Sequence, residues 1–243
     1  MENITLNQLV FRIIGLYRAA SKNTDDIPSE RMIKDWIHST RAMLLKQRLD
    51  KPFAYIDDQL VQTFRDKVND WTSPFYKLVP VALEEVDSSQ FEVVKSGVTM
   101  LRTKSIIPPT INRRGMVGTF TRVGPVDRLD RKYKVVSHET ALVSGNGKFN
   151  KNDIYVFPLE GRLYLKSKVT IPYVMLDIKG VFQNPSQVPG FSDEGHYPIN
   201  RELVDIMEQM IAQSKFPTTL VGYKDTIANE ADDLVQTTQK QQR

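Results

Sequence analysis

Apolar residues recur at helical spacing in two stretches near the start of the chain, then give way to short alternating runs. Leu6, Leu9, Val10, Ile13, Ile14 and Tyr17 form one stripe, the period of an amphipathic helix. Thr5 and Gln8 precede it with the spacing of a capping box, a hydroxyl at the cap and an amide three residues on. A polar break, SKNTDDIPS, follows. Ser29 then caps a second expected helix. Its apolar stripe is Met32, Ile33, Trp36, Ile37, Met43 and Leu44, and its other faces carry Lys34, Arg41, Lys46 and Arg48. About 20 helical residues span ~30 Å, so these two elements predict an antiparallel pair. A third helical or mixed segment over 58–71 is expected to complete a small bundle.

From Pro74 onward the runs are short and rich in Val, Ile, Tyr, Phe and Thr, and turn residues such as Gly124-Pro125 and Asn146-Gly147 separate them. That texture predicts an antiparallel sheet or small barrel. DIYVFPLEGRLYLKS is the clearest hairpin, with Gly161 in its turn. HETALV is read as part of a strand, and FTRVGP as a strand ending at Val123 with a Gly-Pro turn after it. Asn200 is expected to cap a last helix with Leu203, Ile206, Met207, Met210 and Ile211 on its buried face. After Pro217 the chain is polar, yet Leu220, Val221, Tyr223, Ile227, Leu234 and Val235 are spaced as if to dock. The fold class is therefore α+β: an N-terminal helical hairpin or bundle (1–72), a central antiparallel β-sheet or small barrel (73–195), and a C-terminal helix with an extended tail (196–243). No βαβ alternation is visible, which argues against a doubly wound nucleotide-binding fold.

Composition narrows the function classes. The 243 residues contain no cysteine, which excludes disulfides, thiolate metal sites and cysteine nucleophiles together. No apolar run approaches the ~18 residues of a membrane span. Arg12 interrupts LVFRIIGLY, so the N-terminus makes a poor signal peptide, and a soluble, unprocessed chain is expected. The net charge is only +4, yet it is unevenly spread. Residues 102–134 hold nine basic side chains against Asp127 and Asp130, a local net of +7. Such a stretch is either a solvated face or a basic surface that meets phosphates or an acidic partner. Few aromatics interleave with its bases, so stacking on single-stranded nucleic acid fits poorly.

Catalytic patterns do not emerge. Asp193, Glu194 and His196 crowd one short loop with no distant ligand in view, a weak metal signal. SGNGKF lacks the spacing of a phosphate-binding loop and reads as a hairpin turn. Glu84 and Glu85 are adjacent on an expected strand, so they point to opposite faces and cannot cooperate as acid and base. Catalytic residues: none. Metal and cofactor sites: none.

RMIKDWIHSTRAMLLKQRLDK after its Ser cap, FTRVGPVD, GKFNKNDIYVF, GRLYLKS and LDIKGVFQNPSQV, in that order, resemble structural proteins of crAss-like podoviruses. The resemblance spans Leu6 to about Ile211. It implies a virion protein at the portal vertex or tail, assembled in the host cytoplasm. There it would be a ring or adaptor of the head-to-tail connector, a homo-oligomer expected to be dodecameric. Its partners would be the portal protein and adjacent tail rings, with double-stranded DNA passing through the lumen and no membrane involved. A stopper or tail-hub ring, or a sequence-nonspecific DNA-binding virion protein, is the alternative. On either reading Arg113, Arg114, Arg122, Arg128, Arg131 and Lys132 are the expected interface or channel residues.

Overall fold

A computed structural model describes residues 4–20, 27–52, 54–68, 77–86, 98–144, 152–171 and 175–216. The Asn146-Gly147 turn and the stretch after Phe216 lie outside these residues.

Helix α1 (Leu6–Ala20) starts at the expected capping box. Gln8 N donates to Thr5 Oγ1 at 3.1 Å and Thr5 N to Gln8 Oε1 at 3.0 Å, so two orphan donors are satisfied reciprocally. Helix α2 (Glu30–Leu49) begins where Ser29 Oγ accepts from Met32 N at 3.3 Å. A short helix α3 (His138–Val143) and the longer α4 (Arg201–Lys215) complete the helices among the described residues. The buried stripes of α1, α2 and α4 share one core, including Leu9, Ile13, Ile37, Leu44, Met207 and Ile211. The expected third helix over 58–71 is corrected. A 3-10 turn at Asp58–Leu60 leads instead into strands β1 (Gln62–Phe64) and β2 (Asp66–Val68), and α4 supplies the bundle's third member. Phe64 lies opposite Ile178 and is buried beside it, so sheet pairing overrides a weak local helical pattern.

The remaining strands are β3 (Lys77–Val79), β4 (Val81–Glu85), β5 (Thr99–Thr103), β6 (Phe120–Pro125), β7 (Lys134–Val135), β8 (Tyr155–Leu159), β9 (Arg162–Ser167) and β10 (Met175–Gly180). Strands β2 and β3 form a separate ribbon. The main sheet runs β1-β10-β4-β5-β9-β8-β7, and β6 also pairs with β10. Its pairings are antiparallel except β7 with β8. The sheet curls until its ends meet, where Tyr133 N donates to Val123 O at 2.8 Å. Val81, Val123, Val156, Leu165, Leu176 and Ile178 fill the concave side. The β8–β9 hairpin turns through Glu160 (φ 51°) and Gly161 (φ 74°), a two-residue turn matched to strand twist.

Both faces of that hairpin are buried. Val156 and Leu165 face the concave core, while Phe157 and Tyr164 pack with Ala141 of α3. HETALV is thus a helix rather than the expected strand. Ser137 Oγ accepts from Thr140 N at 3.2 Å and starts it, a cap hidden among β-branched neighbours. Leu45 and Leu49 at the end of α2 meet Leu60, Ile111 and Val181, which joins the bundle to the sheet.

Candidate interaction surface

Three cations are buried among the described residues, and each donates to backbone carbonyls. Arg41 is fully buried on α2, where the sequence pattern placed it on a polar face. Its Nε donates to Pro198 O at 2.6 Å and its Nη1 to Phe182 O at 2.9 Å, and the guanidinium lies over the Tyr197 ring. No carboxylate pairs with it among the described residues, and burial pushes its pKa down to about 10. Beside it His38 Nδ1 lies 2.9 Å from the Tyr197 hydroxyl. Burial, and then the Arg41 charge, lower the His38 pKa to about 4. Lys166 Nζ donates to Ala141 O at 2.8 Å, Leu142 O at 2.6 Å and Ser144 O at 3.2 Å. It therefore caps the carbonyl end of α3 with a positive charge, and burial pushes its pKa down.

Arg122 is the third. It lies on β6, 9% exposed, and its Nε reaches Asp177 Oδ2 on β10 at 2.9 Å. The rest of the guanidinium donates to Pro125 O at 3.3 Å, Arg128 O at 3.1 Å and Leu129 O. A carboxylate neutralises the charge while the fork of donors turns the last carbonyl of β6 and two carbonyls of the following loop inward. The side chains of that loop consequently point out. Arg128, Arg131 and Lys132 are exposed, and Leu129 at the tip is 71% exposed. Gly124 permits the fold-back, because a Cβ there would stand 2.5 Å from Arg131 O. Gly124 and Pro125 belong to β6 itself, opposite Asp177 and Leu176. The turn expected at those two residues begins after them.

Of the six basic residues singled out in sequence, Arg128, Arg131 and Lys132 share this loop. Arg113 (half-buried) and Arg114 (exposed) occupy a second loop at the opposite end of β6, about 17 Å of strand away. That loop is tied down by Ile111 N to Val181 O at 2.9 Å and by Arg114 N to Asp50 Oδ1 at 2.8 Å. Elsewhere in the basic stretch, Arg102 pairs with Glu84 at 2.5 Å and Lys134 with Asp153 at 2.5 Å. Lys104, Arg113, Arg114, Arg128, Arg131 and Lys132 carry no ion pair among the described residues. Between the two basic loops runs a groove of about 480 Å³ along β6 and β7.

The chemistry-bearing residues elsewhere are tied into the fold. The Asp193 carboxylate holds Lys34 Nζ at 2.7 Å, and His196 bridges Thr5 through the backbone. No group of three or more His, Asp or Glu is placed to hold a metal among the described residues. Glu84 is shared by Arg102 and Arg162, and its hydrogen bond from Arg102 holds the carboxyl below the usual range. Among the described residues, no helix is long and apolar enough to cross a membrane.

In comparison with known families, residues 8–234 match the profile of phage tail ring protein 2 of crAss-type phages. No curated protein matches the chain.

Proposed function

The chain belongs to this family of phage tail ring proteins, and on that premise we propose that it forms one closed ring of the head-to-tail connector. Members of the family are structural components of the tail, so the protein resides in the virion and assembles with other tail proteins. The proposed ring is a dodecamer next to the portal, with double-stranded DNA passing through its lumen, and its work involves no catalytic step. One observation carries the reading. The exposed cations Arg128, Arg131 and Lys132 are displayed by a loop that the buried Arg122, paired with the partly buried Asp177, locks in place.

A ring closes through heterologous contacts, in which one face of each subunit fits a different face of the next. A rigid, cationic projection suits such a contact because opposite charges set register and suppress wrong partners. A cationic loop turned toward the lumen serves equally to hold DNA, which carries one negative charge per ~1.7 Å of axis. The test is the double reversal Arg128→Glu/Arg131→Glu in the full chain, mixed with portal and neighbouring tail proteins. Monomer folding should be unchanged, since both side chains are exposed, while ring formation or DNA delivery is lost. Normal rings with normal DNA delivery would show that the loop is ordinary surface.

A further inference from the structure

We infer that the groove beside β6 seats residues 225–236 of a neighbouring copy as an acidic amphipathic helix. The inference rests on the ring reading, which sets copies side by side. Met116, Val117, Phe120, Val135 and Val136 line the groove. None of the five is buried, and Met116 is 58% exposed. Phe120, Val135 and Val136 also pack against the core, so the apolar strip is smaller than the patch of roughly a few hundred Å² of a whole-protein interface and suits one short segment. Lys132 lines the same groove. Arg131 adjoins it at one end and Arg114 at the other, and neither has an ion pair among the described residues.

The sequence of the chain itself supplies the complement. Ile227, Ala231, Leu234 and Val235 fall at i, i+4, i+7 and i+8, the spacing of one helical face. Asp225, Glu230, Asp232 and Asp233 accompany them, with no base between residues 225 and 239. The family match extends to residue 234, into this segment. Twelve helical residues span about 18 Å, close to the roughly 17 Å of β6 along which the groove runs. Residues 217–224, extended, reach at most about 28 Å beyond Phe216, enough to cross onto an adjacent subunit. An acidic helix with one apolar face therefore matches the groove in polarity, charge sign and length.

The absence of cysteine makes cross-linking a clean test. Two single variants of the full chain, Met116→Cys and Leu234→Cys, are mixed, assembled into rings with the neighbouring tail proteins and oxidised. A disulfide-linked dimer is expected, at least fivefold more abundant than with Asn229→Cys on the opposite helical face. Adding Lys132→Glu should reduce it several-fold. Rings that form but give no cross-link overturn this inference and leave the ring reading intact. So does a bond formed only within single chains of the Met116→Cys/Leu234→Cys double variant. Failure of the unsubstituted chain to form rings at all overturns both.

Discussion

Arg41→Met removes the guanidinium that joins α2 to two distant backbone segments while keeping an unbranched apolar stem. Arg41 makes two short, buried, charge-assisted bonds, to Pro198 O at 2.6 Å and Phe182 O at 2.9 Å. At about 1.5–3 kcal/mol each, they contribute about 3–6 kcal/mol together. Opposing this is the cost of a buried charge with no carboxylate partner among the described residues. A pKa pushed down to about 10 corresponds to about 3 kcal/mol of that cost, which methionine returns. The substitution also leaves two carbonyls short of a donor, at about 1–3 kcal/mol each where no water reaches them. The bonds less the returned cost leave about 0–3 kcal/mol and the stranded carbonyls add about 2–6, so a net loss of at least about 2 kcal/mol is expected. Urea denaturation followed by the fluorescence of Trp36, on the same helix, reads the change. Arg41→Lys keeps the charge but not the fork, and should fall between the two. Should Arg41→Met prove as stable as the parent or more so, as when buried ion pairs yield to apolar residues, the pin argument is wrong.

Three further outcomes follow from the same geometry. The folded-state pKa of His38 is lowered to about 4, so the unfolded chain binds the extra proton first. Its contribution is fully present above about pH 6.5 and is lost as pH falls toward 4, by about 3 kcal/mol. His38→Gln should flatten that part of the stability-versus-pH curve, and an unchanged slope would contradict the assignment. Arg122→Met strands the partly buried Asp177 and frees the carbonyls of Pro125, Arg128 and Leu129, and breaking such a pair costs up to about 3–5 kcal/mol, the figure for a fully buried one. Native-state trypsin cleavage at Arg128 and Arg131 should then rise at least tenfold, and equal cleavage would mean that the loop holds itself. Gly124→Ala sets a methyl 2.5 Å from Arg131 O, an overpacking worth about 1–3 kcal/mol. Thermal unfolding of that variant should shift down by several degrees, and no shift would place the loop farther from β6 than described.

The sequence made the helices legible where period and cap agree. Thr5–Gln8 and Ser29 start α1 and α2 as expected, and the β8–β9 hairpin turns at Gly161. On α2 the stripe was misjudged by part of a turn. Met32 and Met43 are each 43% exposed, while Ile33, Ile37, Arg41 and Leu44 are buried. Those four positions are themselves helically spaced, so the stripe runs through Arg41. A charged residue type, judged on average exposure, hid it. Asn200 begins α4 in position only, because its amide donates to Asp57 Oδ2 at 2.9 Å instead of capping the helix. Strands β1 and β2 were illegible because β10, more than a hundred residues away, decides β1. The basic stretch stood out by count alone. Its division into buried pins, ion-paired rims and free loops depends on Asp177, Glu84 and Asp153, each outside it in sequence.

The most direct test of the account is a reconstruction of the intact tail at side-chain resolution. The account predicts several copies of this chain in one closed ring about the tail axis, adjacent to the portal, with loop 126–132 against a neighbouring subunit or the DNA channel. A chain missing from the tail, or present there as a solitary copy, contradicts it.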